Sequence, residues 1–136
     1  MDDSKLRGSC LCQAVAFETL PPFVFFNHCH CSRCRKNSGS AYSANILVRA
    51  DQFAWTKGAE LVRQWEHPDA EHFCTGWCSV CGSAMPWQSR NKKGYLVPAG
   101  SLDDDPGSRP ERSIFFDSRA PWFVDPCELP TFPEGK

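Results

Sequence analysis

Apolar side chains recur two apart along much of this chain, in Ala14-Val15-Ala16-Phe17-Glu18, Ala44-Asn45-Ile46-Leu47-Val48, Leu61-Val62-Arg63-Gln64-Trp65 and Ser113-Ile114-Phe115-Phe116. Successive side chains of a strand point to opposite faces, so each run is predicted to be a strand with one buried face. Between the runs lie Pro21-Pro22, Lys57-Gly58, His67-Pro68-Asp69, Lys93-Gly94 and Asp105-Pro106-Gly107, residues that favour turns. The pattern predicts an antiparallel all-β fold. Eleven scattered prolines disfavour long helices, leaving at most one or two short helical turns. The best candidate has Ser32 as cap, runs through Arg33-Cys34-Arg35-Lys36-Asn37 and ends at Gly39. The segment from Pro126 to Lys136, rich in proline, is expected to lie extended on the surface.

Eight of the nine cysteines fall into clusters, Cys10/Cys12, Cys29/Cys31/Cys34 and Cys74/Cys78/Cys81. Residues two apart on a strand share a face, so Cys10 and Cys12 are expected to offer both sulfurs to one ion, and Cys29 and Cys31 to another. Cys78-Ser79-Val80-Cys81 followed by Gly82 is a zinc knuckle, two thiolates on a tight turn whose glycine permits the backbone. Cys10, Cys12, Cys78 and Cys81 together complete a closed tetrahedral zinc site that stabilises the fold by clipping a long loop. Cys29, Cys31 and Cys34 supply three ligands, which leaves one open position on a tetrahedral zinc and makes them the candidate catalytic site. There zinc would lower the pKa of a thiol, or polarise a carbonyl. The competing structural reading takes a fourth ligand from His28, His30, His72, Cys74 or Cys127, although Cys74 and Cys127 are read as unliganded thiols.

Length and charge narrow the remaining choices. The 136 residues are read as a single zinc-binding domain, 1–136, with a core over about 6–125 and a tail over 126–136. A formal net charge of −1 provides no concentrated basic face for nucleic acid. No window is long and apolar enough to span a bilayer. The start of the chain lacks a basic head and apolar stretch, so the expected location is the cytoplasm, where thiols stay reduced.

Taken together, Gly8-Ser9-Cys10-x-Cys12-x-Ala14-Val15-x-Phe17, His28-Cys29-His30-Cys31-Ser32-x-Cys34-Arg35-Lys36-x-Ser38-Gly39 and Trp77-Cys78-x-x-Cys81-Gly82-Ser83 resemble the glutathione-dependent formaldehyde-activating enzyme family, which also includes centromere protein V. Gly100-Ser101-Leu102-Asp103-Asp104, Arg119-Ala120-Pro121-Trp122 and Leu129-Pro130-x-Phe132 extend the resemblance. It implies a twisted all-β fold of the Mss4-like kind, with the four-cysteine zinc structural and the three-cysteine zinc catalytic. It also implies a carbon–sulfur lyase that joins formaldehyde to glutathione as S-(hydroxymethyl)glutathione. Leu11, Gln13, Trp77 and Cys74 depart from the usual family pattern, which leaves the choice of thiol and aldehyde open. Glutathione carries two carboxylates, so Arg33 and Arg35, beside the three-cysteine cluster, are candidates for binding this co-substrate. Arg90, Lys92 and Lys93, which follow the knuckle, are a second candidate group for carboxylate recognition, although the stretch also reads as an ordinary solvated hairpin turn. Trp55, Trp87 and Trp122 read as core or rim packing, and Asp103-Asp104-Asp105 as a solvated loop. The alternative function is a non-catalytic binding module of the same fold using Trp122-Phe123-Val124 as its contact surface; a third is a redox sensor built on Cys29, Cys31 and Cys34.

Overall fold

The computed structural model describes residues 4–135; Met1 to Asp3 and Lys136, which the sequence reading placed at the ends of the domain, lie outside them. Ten strands and one α-helix follow one another as β1 (Leu6–Ser9), β2 (Ala16–Thr19), β3 (Phe25–Cys29), α1 (Ser32–Ser38), β4 (Ser43–Arg49), β5 (Phe53–Lys57), β6 (Val62–Glu66), β7 (Cys74–Cys78), β8 (Trp87–Gln88), β9 (Gly94–Pro98) and β10 (Arg112–Ile114). They form a three-stranded sheet β1-β2-β5, a five-stranded sheet β10-β3-β4-β9-β8 and a two-stranded sheet β6-β7.

Alternation explains the strands. In β4, Ile46 and Val48 are fully buried, while Asn45 and Leu47, one residue out of phase, are half-buried on the opposite face. Ile46 and Val48 join Val15, Phe17, Phe26, Met85 and Val97 in one core cluster, and each large apolar side chain so buried contributes about 1.5–3 kcal/mol. Gly8 on β1 faces Phe17 on β2 so closely that a Cβ there would collide with the ring. Phe17 continues the packing into Phe53 (5.5 Å, stacked) and Trp55 (6.1 Å, edge-on), which places Trp55 at the edge of the core.

Four expectations need correction in detail. Cys10 and Cys12 do not sit on a strand: β1 stops at Ser9, and a turn follows in which Gln13 N–H donates to Cys10 O (3.0 Å) with Gln13 in the left-handed region. A turn folds both sulfurs back together, which a pleated strand ending at an unpaired edge would not hold. The helix cap is Cys31, whose Sγ accepts from Cys34 N–H (3.3 Å), rather than Ser32; Gly39 closes the helix in the left-handed conformation as expected. The run Ser113–Phe116 breaks after Ile114 because Phe115 adopts φ 53°, turning the chain into a 3-10 turn at Phe116–Ser118. Finally, β10 pairs parallel to β3, with Arg112 opposite Asn27 and Ile114 opposite Cys29. The chain reaches that edge only after crossing over from β9, and such a connection permits a parallel neighbour. Beyond α1 the remaining helical structure consists of short 3-10 turns, including Pro126–Glu128 in the tail, where Asp125 Oδ1 accepts from Cys127 N–H (2.9 Å). The aspartate loop is tied down: Arg7 grips Asp104 (3.1 Å) and Ser9 Oγ donates to Asp103 (2.8 Å), fastening it to β1.

Candidate metal centres and the cleft beside them

Two clusters of sulfur atoms emerge from this fold. Cys10 and Cys12, in the turn after β1, meet Cys78, the last residue of β7, and Cys81 in the turn that follows, with all four sulfurs within 4.8 Å of one another. Cys10 and Cys12 lie 3.6 Å apart and Cys12 and Cys78 4.0 Å. Tetrahedral coordination with metal–sulfur bonds of about 2.3 Å separates sulfurs by about 3.8 Å, so the set has the spacing to hold a metal ion and is far too open for disulfides. Backbone groups already point at the sulfurs: Val15 N–H donates to Cys10 (3.3 Å) and Val80 N–H to Cys78 (3.4 Å). Gly82 takes a positive φ of 78° and its N–H donates to Cys78 O (2.8 Å), which shapes the knuckle. The Ser83 hydroxyl, 3.2 Å from Cys81 Sγ, brings that thiol down to about 5. Cys12 moves the other way. An Ala14 backbone contact favours its thiolate, yet desolvation and proton sharing with Cys10, Cys81 and Cys78 push it up to about 11. Four sulfurs this close do not all ionise unaided, and a divalent cation is what would let them.

The second cluster joins Cys29 at the end of β3, Cys31 at the helix cap and Cys34 in the first turn of α1, again within 4.8 Å. Cys29 falls to about 6, chiefly because the Cys34 thiol donates to it, and the Cys34 thiol is raised by the same bond. Three soft sulfur donors with a shared proton suit the same kind of ion, and among the described residues no histidine, carboxylate or further cysteine joins them. His30, between two of the cysteines, turns into an aromatic box: it is 1% exposed and lies 5.1 Å from each of Tyr42, Phe116 and Phe123. His28 stacks on Tyr42 at 4.2 Å. His72, Cys74 and Cys127 also stay outside both clusters. Cys74 is buried, with its sulfur 3.6 Å from His72 O and 3.5 Å from Arg90 Nε, and Cys127 is exposed.

The three-cysteine cluster lines one end of a cleft of about 1020 Å³, whereas none of the four-cysteine set lines it. Its floor is one face of the five-stranded sheet, and strand register arranges that face in rows. Cys29 pairs with Ser43, Asn27 with Asn45, and Phe25 with Leu47. Leu47 in turn pairs with Leu96, and Leu96 with Trp87. Arg49, at the end of β4, pairs with Gly94. From the sulfurs outward the floor therefore runs polar, then apolar, then cationic.

Of the two arginines singled out in the sequence, Arg33 lines the cleft and Arg35 does not; Arg35 Nε is buried without a hydrogen-bond partner. Arg90 does something that its hairpin context concealed. Its guanidinium donates to the carbonyls of Ala70 (2.6 Å), His67 (2.7 Å) and Phe73 (2.9 Å), fastening the loop that forms one cleft wall. Lys92 and Lys93 do lie in a β-hairpin turn, with Ser89 N–H donating to Gly94 O (2.9 Å), and Lys93 lines the cleft. The apolar row of Phe25, Leu47, Leu96 and Trp87 escaped the sequence reading, although the alternation Ser43, Asn45, Leu47, Arg49 on β4 was a signal that this face carries a graded set of side chains.

Residues 5–118 match the family model for glutathione-dependent formaldehyde-activating enzymes. A Halomonas elongata protein provisionally named a glutathione-dependent formaldehyde-activating enzyme is 33% identical over 129 residues, covering 86% of this chain and 78% of its own. A crystal structure of a Rhodobacter sphaeroides protein superposes with a TM-score of 0.56 at 26% identity, spanning 79% of this chain and 97% of that one. With seven cysteines in two converging clusters and a family match across most of its length, the chain belongs to the glutathione-dependent formaldehyde-activating enzyme family.

Proposed function

We propose that this protein is a zinc-dependent carbon–sulfur lyase of the S-(hydroxymethyl)glutathione synthase type, which joins an aldehyde such as formaldehyde to a small thiol such as glutathione. The observation that carries the reading is that the cluster with only three sulfurs opens on a large cleft, while the cluster with four does not line it. In this reading Cys10, Cys12, Cys78 and Cys81 hold a structural zinc, and Cys29, Cys31 and Cys34 hold a catalytic one. When bound there, zinc supplies a lowered pKa for a thiol occupying its fourth position.

The chain's own residues do the rest. Arg33, which lines the cleft beside the sulfurs, meets a carboxylate of glutathione. Ser43 and Asn45, beside the sulfurs on the floor, orient its peptide groups. In the reaction the thiol sulfur forms a bond to the carbonyl carbon, the C=O π bond breaks, and the thiol proton ends on the new hydroxyl. Positioning both reactants in one cleft makes the addition effectively unimolecular. The alternative of a non-catalytic module is supported by exposed Trp122 (65%) and Phe132 (60%) in the C-terminal segment. It needs a protein group to close the three-sulfur site, and among the described residues none is in place. A reducing cytoplasm suits nine free thiols.

The test is exchange NMR of formaldehyde and glutathione with zinc-loaded protein. Acceleration of adduct formation that Cys31→Ser lowers at least a hundredfold, with the circular dichroism spectrum retained, is the expected result. Equal acceleration by folded Cys31→Ser, or none by the native protein, would overturn the reading.

A further inference from the structure

Formaldehyde has no side chain, yet beyond the three-cysteine cluster the cleft is lined by an apolar row of half-buried Phe25, Leu47 and Leu96 with Trp87 buried at 9% exposure. Phe25, Leu47, Leu96 and Trp87 stand side by side across β3, β4, β9 and β8 through paired register. All four line the cleft; Val24, 58% exposed, adds apolar surface next to Phe25, whereas Phe115, 64% exposed, follows Ile114 opposite Cys29 and lies at the sulfur end. Phe115 is held in the left-handed region at φ 53°, a conformation that costs a non-glycine residue energy and so marks a side chain whose placement is imposed by its surroundings.

Distance separates this row from the sulfurs. Phe25 lies four residues from Cys29 on β3, which at about 3.3 Å per residue places it about 13 Å along the sheet. Glutathione is joined through the γ-carboxyl of its glutamate, so its longer arm runs eight bonds from the sulfur to the α-carboxyl carbon, about 10 Å when extended. With its sulfur at the three-cysteine site, neither arm reaches the apolar row. The cleft volume of about 1020 Å³ is at the upper end of the roughly 300–1,000 Å³ that holds drug-sized ligands, more than a tripeptide carrying one extra carbon would fill.

From this we infer that the carbonyl co-substrate of this enzyme carries a hydrophobic chain of about ten carbons, long enough at about 1.3 Å per carbon to cover the ~13 Å, which reaches Phe25, Leu47, Leu96 and Trp87 while its carbonyl carbon meets the thiol at the three-cysteine site. The inference rests on the functional reading above and specifies its aldehyde. The bond changes are unchanged from the formaldehyde case: sulfur joins the carbonyl carbon, and the thiol proton passes to the former carbonyl oxygen. The hydrophobic substituent takes no part in the chemistry and contributes binding alone.

S-decylglutathione and S-methylglutathione are stable thioethers that keep the sulfur and differ only in the chain. Each buried methylene improves affinity roughly fourfold, so calorimetry on the zinc-loaded protein should find the decyl compound at least tenfold tighter. Leu47→Asn and, independently, Leu96→Gln, each checked by circular dichroism, should cut that ratio at least threefold. Equal affinities for the two thioethers, or a decyl preference that folded Leu47→Asn and Leu96→Gln both leave intact, overturns the inference while leaving glutathione recognition standing. Failure of both thioethers to bind at millimolar concentration overturns the inference; the functional reading falls separately, only if glutathione itself, titrated alongside with its thiol free, also fails to bind.

Discussion

Gly8 is a residue whose identity is dictated by a single neighbour. The Phe17 ring occupies the space a Cβ would take, so Gly8→Ala must displace either β1 or a fully buried aromatic. Overpacking of this kind costs about 1–3 kcal/mol, and urea unfolding should show that loss without a change in slope. A second residue-scale prediction concerns Asp104. Arg7 donates to it from both its guanidinium and its backbone N–H, the side-chain bond contributing most, and holds its carboxyl below the ordinary range. A carboxylate depressed in the folded state adds stability that is full above the unfolded value of about 3.9 and fades as pH falls through the folded value. Asp104→Asn should therefore narrow the difference between stability at pH 6 and at pH 3, measured by thermal unfolding; an unchanged difference would show that the pair is energetically silent. At this scale the cysteine clusters were legible in the sequence because each pair sits within a few residues and turn chemistry alone brings the sulfurs near. The fate of His30 was not. Whether a histidine beside two cysteines ligates or packs depends on Tyr42, Phe116 and Phe123, two of which arrive from far along the chain.

Among the elements, the hairpin β8–β9 and the loop before β7 depend on each other through Arg90. Three charge-assisted bonds to carbonyl groups anchor this loop, and hydrogen bonds to a charged group are worth about 1.5–3 kcal/mol each. Arg90→Ala should raise hydrogen exchange of the amides between residues 67 and 73 by at least tenfold while leaving β4 and β9 protected. Uniform protection across the loop would show that its fold does not rest on this arginine. Helix α1 teaches a related lesson. Its position and its glycine stop were evident from the sequence, but the cap fell to Cys31 because a sulfur fixed by the neighbouring thiols is already placed to accept the Cys34 N–H. The break at Phe115 was hidden because the apolar run continues through it, and only its left-handed backbone in the folded chain ends the strand.

Across the whole molecule, the four-cysteine cluster ties the turn after β1 to the turn after β7, residues more than sixty apart in sequence. Metal binding to such a site is coupled to folding, with apparent values of about 10–16 kcal/mol for structural zinc in small domains. A strong chelator should therefore lower the melting temperature sharply or unfold the protein, and Cys78→Ser should do the same, whereas Cys31→Ser should leave most of the stability in place. If Cys31→Ser and Cys78→Ser destabilise equally in a thermal melt, the division of labour between the clusters is wrong.

Side-chain alternation, turn residues and ligand chemistry over short spans already specify the strand-rich character, the position of the helix and the grouping of seven sulfurs into sets of four and three. Folding in three dimensions adds that the set of three opens on a cleft, that Arg33 lines it and Arg35 does not, and that Leu47, Leu96 and Trp87 form one apolar row. The physical reason is register. A shift of one residue between β4 and β9 would send Leu47 to the core and Ile46 to the cleft, and that alignment is set by packing among residues fifty positions apart, which no local pattern specifies.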